Sequence, residues 1–268
     1  MAPIKIVFTG ATGSVGQSVI PAIIRRPEYE LVGAVGRRRA GDDVGLIMGM
    51  DPIGVRLTTD VHEALAGSGA QVLIDYSSPS VATGYCRAAV EQGVAVIMAT
   101  TAMDRGEVEE IGRIAERNGV GAFVAPNLTL VGQLTFRIVE MVKRYIGDVE
   151  IVEGHRNAKL DSPSGTSLET AARINHTPGP PQTPDQTRLG MPESRGAQVG
   201  GVRIHSMRMP SLFDHQEVIF SRPGELLSIR LEVFNSEAFV DPTLKAARLI
   251  LSHRGLVREL PSLFDADY

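Results

Sequence analysis

The first 26 residues leave few folds open. Ile4–Thr9 (IKIVFT) is an apolar run of the kind that a strand buried on both faces requires. It breaks into Gly10-Ala11-Thr12-Gly13-Ser14-Val15-Gly16, and Gln17–Arg26 then carries helical periodicity. Strand, glycine loop and helix in that order open a βαβ unit whose loop holds the phosphates of a dinucleotide. Glycine lets the backbone come close, and the helix start offers N–H groups and a positive dipole end. The spacing is GxxGxxG rather than GxGxxG. Pro21 falls inside the helix and is expected to kink or shorten it.

The alternation continues. Strand runs at Glu30–Val35, Gln71–Asp75, Val94–Met98 and Gly121–Val124 alternate with helical stretches at Val61–Ala66, Val81–Gln92 and Arg105–Asn118. Asp43–Thr59, rich in Gly and Met, reads as irregular. This order implies an α/β fold, a Rossmann-like doubly wound parallel sheet. Ligands bind at the carboxyl ends of such strands. The loops Asp75–Pro79, Ala99–Ala102 and Pro126–Thr129 lie there, so Ser77, Ala99, Thr100, Thr101, Pro126 and Asn127 are candidates to line the nicotinamide end. After the second strand, an NAD enzyme places an acid for the ribose hydroxyls. Here Gly36-Arg37-Arg38-Arg39 follows, with no acid before Asp42. Arg37 and Arg38 suit a 2′-phosphate and predict NADPH over NADH; a solvated basic loop is the alternative, and Arg39 is expected to face solvent.

After a helix at Val131–Tyr145 the pattern changes. A strand from Asp148 leads into Glu153–Ser167 (EGHRNAKLDSPSGTS), then one helix, a Pro-rich loop at Pro178–Pro192 and β-rich runs at Gly201–Arg208, His215–Phe220 and Leu226–Val233. These imply a second α+β domain with a mixed or antiparallel sheet. A final helix covers Asp241–His253. Within Glu153–Ser167, His155 titrates near neutrality and Lys159 is a compact cation four residues on. A helix would put both on one face; an extended chain can turn both toward one cleft. Asp161-Ser162-Pro163 stops any regular element. Ser164-Gly165-Thr166 opens the next helix, with Thr166 and Glu169 at capping-box spacing, and a helix start suits a carboxylate. Acid/base candidate, cation and anion cradle are thus gathered in fifteen residues. An ordinary surface loop before a capped helix would use the same residue types.

EGHRNAKLDSPSGTS resembles the signature of the dihydrodipicolinate reductase family, roughly E-x-H-H-x-x-K-x-D-x-P-S-G-T. Every fixed position matches except the second His, where Arg156 stands. Asp75–Pro79 is similar to the family's D-F-T-x-P, and His205–Phe220 (HSMRMPSLFDHQEVIF) to its H-x-x-R-x-x-G-x-x-x-H-x-x-V. Ala99-Thr100-Thr101-Ala102 departs from G-T-T-G, and Asn127–Val131 from N-F-S/T-x-G, its Gly displaced to Gly132. The resemblance implies an enzyme that reduces a cyclic unsaturated imine dicarboxylate, or its hydrated precursor, in lysine (diaminopimelate) biosynthesis with NADPH or NADH. It implies a homotetramer joined through the second domain's sheet. It also implies that the last helix returns to the nucleotide domain, giving 1–130 with 237–268 and an inserted substrate domain, 131–236. Carried over by position, His155 is the proton donor and Lys159 assists it and holds a substrate carboxylate. Ser164, Gly165 and Thr166 bind a carboxylate, and Thr101 touches the substrate's other end. Arg156 adds positive charge beside that cleft, and the methyl groups of Ala99 and Ala102 narrow any pocket there. Two other readings share the nucleotide fingerprint: a reductase of another imine or keto acid, and a non-catalytic NADP(H) sensor, which would need none of His155, Lys159 and the S-G-T turn.

At 268 residues and 43% hydrophobic, the chain can bury cores for two modest domains. A net charge of −4 argues against nucleic acid or an anionic membrane as partner, and 5% aromatics without Trp argue against base stacking. A single cysteine, Cys86, allows no internal disulfide. With no secretory leader pattern and no apolar run of spanning length, a cytoplasmic location is expected. No Cys/His cluster has metal-ligand spacing, so no metal is expected. His62, His176 and His253 read as surface residues, and His205 and His215 as structural ones.

Overall fold

The computed structural model describes residues 2–101, 103–187 and 189–258; the expectation for Ala102 and the end of the 237–268 segment fall outside them. In chain order the elements are β1 (Ile4–Thr9), α1 (Ser14–Arg25), β2 (Tyr29–Val35), α2 (Val44–Ile47), β3 (Leu57–Thr58), α3 (Val61–Leu65), β4 (Val72–Asp75), α4 (Pro79–Glu91), β5 (Ala95–Met98), α5 (Arg105–Arg117) and β6 (Gly121–Val124). Then come α6 (Leu130–Lys143), β7 (Asp148–His155), α7 (Gly165–His176), β8 (Ala197–Val199), β9 (Val202–Arg208), β10 (Asp214–Arg222), β11 (Glu225–Val233), α8 (Val240–Leu249) and β12 (Gly255–Val257). The chain forms two compact units, Met1–Leu128 with Ser236–Tyr268, and Thr129–Asn235.

The first unit holds a seven-stranded sheet in the order β12-β6-β5-β4-β1-β2-β3, parallel throughout. Alternation along each strand feeds two cores. Ile6 and Phe8 pack with Val19, Ile20 and Ile23 of α1 and Leu244 and Ala247 of α8. Val7 between them packs with Leu65 of α3, Ala89 of α4 and Ile111 of α5. A strand covered on both faces must be apolar at successive positions, which is why these runs read as continuous. Each large side chain so buried contributes about 1.5–3 kcal/mol. Helix α8 is tied to this unit by Tyr29 Oη donating to the Leu244 carbonyl (3.0 Å) and by the Tyr76–Thr243 hydroxyl pair (2.7 Å).

The second unit carries a five-stranded mixed sheet in the order β11-β10-β7-β9-β8, with only β7 and β9 parallel. Val149 and Ile151 of β7 turn to the face covered by Val139 and Val142 of α6 and Ile174 of α7. By the same alternation Glu153 and His155, two and four residues on, fall on that buried side.

Several local expectations change. Helix α1 runs through Pro21 to Arg25, so the ring neither ends nor shortens it. Asp43–Thr59 is not all irregular. The Asp43 carboxylate accepts four backbone N–H groups, from Gly45, Leu46, Ile53 and Gly54, capping α2 and pinning the loop that brings β3 to the sheet edge. Helix α7 is capped not by Thr166 but by Ser164, whose Oγ accepts from Ser167 N (3.3 Å), and Glu169 instead pairs with Arg173 (2.8 Å). Strands β8 and β12 carry only three residues each, too few for a periodic signal.

Candidate active site

In the first unit, the turn after β1 is built for a close backbone approach. Gly10 sits at φ +79°, and a Cβ there would lie 2.1 Å from the Tyr76 carbonyl oxygen. A Cβ on Gly16 would lie 2.4 Å from the Ala11 carbonyl, so the helix can begin directly against the loop only with glycine there. Gly10 N and Ala11 N both donate to the Val35 carbonyl (3.0 Å each), fastening the turn to β2. Helix α1 then starts at Ser14 with no side-chain cap, leaving its first turn, Ser14 to Gly16, as an anion cradle. A groove of about 300 Å³ opens here, lined by Gly10, Thr12, Gly13, Gly36, Arg37, Arg38 and Ser77 among others. It lies between the carboxyl ends of β1, β2 and β4, where the sheet's strand order reverses. An uncapped helix start, glycine clearance and two exposed arginines fit a phosphorylated dinucleotide. Arg39 is exposed, as expected, but is engaged with Asp42 (2.9 Å), and Arg56 with the Gly41 carbonyl (2.9 Å), which leaves Arg37 and Arg38 on the groove.

Ala99, Thr100, Thr101, Pro126 and Asn127 follow β5 and β6 and do not line that groove. Thr100 is nevertheless linked to it. Its hydroxyl donates to Asp75 Oδ2 (2.5 Å), while Thr9 Oγ1 (2.5 Å) and Ser77 Oγ (2.6 Å) donate to Oδ1. Asp75 is fully buried. One carboxylate thus ties together the ends of β1, β4 and β5. Its sequence signal is an acid closing an otherwise apolar strand, QVLID.

In the second unit, the cross-strand register assembles the chemistry. His155 ends β7, with Asp214 of β10 opposite it on one side and Arg208 of β9 on the other. His155 Nδ1 lies 2.7 Å from Glu153 Oε2, and Nε2 lies 3.3 Å from Asp214 Oδ1. Arg208 Nη1 donates to Glu153 Oε1 (2.9 Å), and its Nη2 to the Asp161 carbonyl (2.7 Å). Burial alone would push the His155 pKa down; the neighbouring carboxylates of Asp214 and Glu153 outweigh it and raise it, against a small opposing effect of Lys159. Burial would raise Glu153, but bonds from His155, Ser206 and Arg208 hold it below the usual carboxylate range. Both partners therefore favour an imidazolium beside a carboxylate.

His155 and Lys159 do not share a helix face: β7 ends at His155, and a turn closed by Lys159 N donating to the Arg156 carbonyl (3.0 Å) follows. Lys159 Nζ pairs with Asp161 (2.8 Å). Arg156 is exposed, its guanidinium 4.6 Å from the Phe213 ring centroid. The start of α7 is locked to the same sheet, since Ser167 Oγ (3.0 Å) and Thr170 Oγ1 (3.2 Å) donate to Gln216, which stands opposite Glu153. Ser164, Gly165 and Thr166 thus open a helix anchored two residue pairs from His155. Glu153, Asp214 and Arg208 were missed as site residues. Glu153 carried a signal, an acid on the buried phase of β7; Asp214 and Arg208 enter only through register. His205 and His215 pair with Glu150 (2.7 Å) and Glu232 (3.2 Å). A groove of about 500 Å³ lined by Asp148, Glu150, Asp185, Arg195 and Arg203 holds none of the signature residues. Among the described residues no three His, Cys, Asp or Glu could hold a metal ion, and no helix is long and apolar enough to cross a membrane.

Comparison with known proteins bears on both units. The family model for the dihydrodipicolinate reductase N-terminus matches residues 4–128, and that for its C-terminus residues 130–263. The 4-hydroxy-tetrahydrodipicolinate reductase of Moorella thermoacetica is 36% identical over 269 residues, covering 99% of each chain. That of Bacillus subtilis is 33% identical over 264 residues, covering 98% of each. The dihydrodipicolinate reductase of Paenisporosarcina sp. TG-14, solved with dipicolinate bound, superposes with a TM-score of 0.76 at 26% identity, over 96% of this chain and 98% of that one. An amine dehydrogenase from Mycobacterium smegmatis, at 13% identity and a TM-score of 0.68, shares the fold. With both halves matched and relatives a third identical end to end, the chain belongs to the dihydrodipicolinate reductase family of nicotinamide-dependent oxidoreductases.

Proposed function

We propose that this chain is a 4-hydroxy-tetrahydrodipicolinate reductase of lysine biosynthesis, using NADPH, with His155 as proton donor and Lys159 and the start of α7 as carboxylate sites. The observation that carries the reading is the His155 ring set between Glu153 (2.7 Å) and Asp214 (3.3 Å), on the same stretch of chain as Lys159 and an anchored helix start. Reduced nicotinamide, when bound, supplies the hydride. His155 then delivers a proton to the anion that hydride addition creates, a contribution of typically 10²–10⁴-fold. Lys159 exchanges Asp161 for a substrate carboxylate, and Gly165 and Thr166 receive another at the helix start. Arg156, stacked on Phe213, keeps its N–H edge for an anion. The relative solved with dipicolinate, a dicarboxylate, supports such a ligand. In the first unit Arg37 and Arg38 favour the 2′-phosphate, and no carboxylate at Gly36 opposes it. Thr100, linked through Asp75, and Ser77 support the nicotinamide end, with Ala99, Thr101, Pro126 and Asn127 at the neighbouring strand ends.

Assembly as a homotetramer and a cytoplasmic location belong to this reading. The apolar stripe Val131, Leu134, Ile138 and Met141 along α6, with Tyr145 just beyond its end and Leu226 and Leu227 on β11, is exposed in one chain and supports burial against other copies. The deciding experiment is NADPH oxidation against a panel containing 4-hydroxy-tetrahydrodipicolinate, simpler cyclic imines and keto acids. The dicarboxylate should be reduced fastest, with dipicolinate competing against it. An uncharged imine or a keto acid reduced faster than every dicarboxylate overturns the assignment.

A further inference from the structure

We propose that Glu153 and Asp214 are positioning residues for the proton donor, gripping the two edges of the His155 ring so that the proton delivered is the one on Nε2. The inference rests on His155 being that donor. The two edges are not equivalent. Glu153 is fully buried, meets Nδ1 at 2.7 Å and is fixed from behind by Arg208 at 2.9 Å. A substrate cannot reach Nδ1 without breaking that buried chain. Asp214 meets Nε2 at 3.3 Å, and the two side chains keep 10% and 9% exposure. A contact that long is much weaker than a 2.7 Å charge-assisted bond. It is the edge that yields when a substrate arrives.

The charges around the ring point the same way. Glu153 faces it from its own strand, Asp214 from β10, Arg208 from β9 through Glu153, and Lys159 with Asp161 from the following turn. Two fixed cations stand among three carboxylates, so an imidazolium brings the cluster to neutrality and a neutral ring leaves it negative. In delivery the Nε2–H bond breaks and the substrate gains the proton at its anionic centre, while the electron pair stays on Nε2. The ring is left neutral with its Nδ1–H still on Glu153, and water returns the proton. Asp214 re-forms its contact only when Nε2 is protonated again, so it marks the reloaded state.

The test uses the full-length protein and two variants of unchanged size. Glu153→Gln keeps an acceptor for Nδ1–H but removes the charge. Ring-nitrogen NMR should show His155 holding its proton about tenfold less tightly, a downward shift of about one pH unit. The alkaline limb of the kcat/KM profile should move with it, with KM for NADPH unchanged. In a His155→Ala background, adding Glu153→Gln should change kcat/KM by less than about twofold, because the residue acts through the ring. Asp214→Asn should likewise shift the ring downward and lower kcat more than KM; it also serves should Glu153→Gln not fold. A pH-independent loss of the same size in both backgrounds, with the ring titration unmoved, overturns the positioning roles alone. Near-normal turnover of His155→Ala removes the donor, and the positioning claim with it.

Discussion

The groove after β1 and the His155 cluster are built by opposite means. The groove works with backbone: a positive-φ glycine, an uncapped helix start and arginines left exposed at the rim. The cluster works with side chains: Glu153 and His155 buried on β7, with Asp214 of β10 on one side and Arg208 of β9 on the other. A backbone site must tolerate a mobile, water-exposed ligand and keeps its charges out of the core, where an unpaired one would be costly. A proton-transfer site needs a group that holds its charge at neutral pH, and only fixed, partly dry neighbours can set that.

The largest effects should separate the two at once. His155→Ala and Lys159→Ala are each expected to lower kcat/KM by at least about 10²-fold while NADPH binding, measured by fluorescence, stays near wild type. Loss of nucleotide affinity in either would erase the distinction. The converse is Gly10→Ala. A left-handed backbone costs an alanine about 1–2 kcal/mol, and its Cβ would meet the Tyr76 carbonyl at 2.1 Å. NADPH affinity should fall about 30-fold, near 2 kcal/mol, with dipicolinate protection of β7 in hydrogen exchange retained. Unchanged NADPH affinity in a folded Gly10→Ala protein would show that the turn is not part of the site.

The same contrast explains what could be read in advance. The groove was legible because its parts are consecutive: strand, glycines, helix and arginines within 38 residues. His155 and Lys159 were legible through a long local signature. Asp214 and Arg208 reach His155 only because β10 and β9 pair with β7 in a particular register, and register is set by the whole sheet. Asp75 sat in view, but its three hydroxyl partners come from the ends of three different strands, β1, β4 and β5. The cap of α7 was misplaced by two residues because Ser164 and Thr166 both suit the role. Asp43 looked like part of a shapeless stretch, since its four partners include residues ten and eleven positions on.

Cofactor choice is a smaller effect, because the arginines are exposed. NADPH should be preferred over NADH by about tenfold, less at high salt. Arg37→Asp should reverse it by repelling the phosphate and accepting the ribose hydroxyls. Equal KM for both cofactors in the wild type at low salt would return the arginine run to an ordinary solvated loop.

The smallest effect is the pH dependence of stability, and it too should divide the molecule. The His155 pKa is raised by folding, so its stabilisation is fully present below its unfolded value of about 6.5 and is lost as pH climbs through the folded value. Glu153 is lowered, so its contribution is present above about 4.3 and is lost as pH falls through its folded value. The two together place the second unit's optimum between those unfolded values, with decline on both sides. In the first unit, burial raises Cys86 and Tyr76, Asp75's charge adding to both. Both are neutral when protonated, so their stabilisation persists through neutrality and is lost only above about pH 8.5 and 10. Hydrogen exchange corrected for the intrinsic rate, read at β7 and at β1 between pH 5 and 9, measures the two separately. Protection of β7 should weaken across neutrality while that of β1 holds to the alkaline end, and His155→Gln should flatten the β7 curve. Parallel decline of both strands would mean that the buried imidazolium does not control local stability.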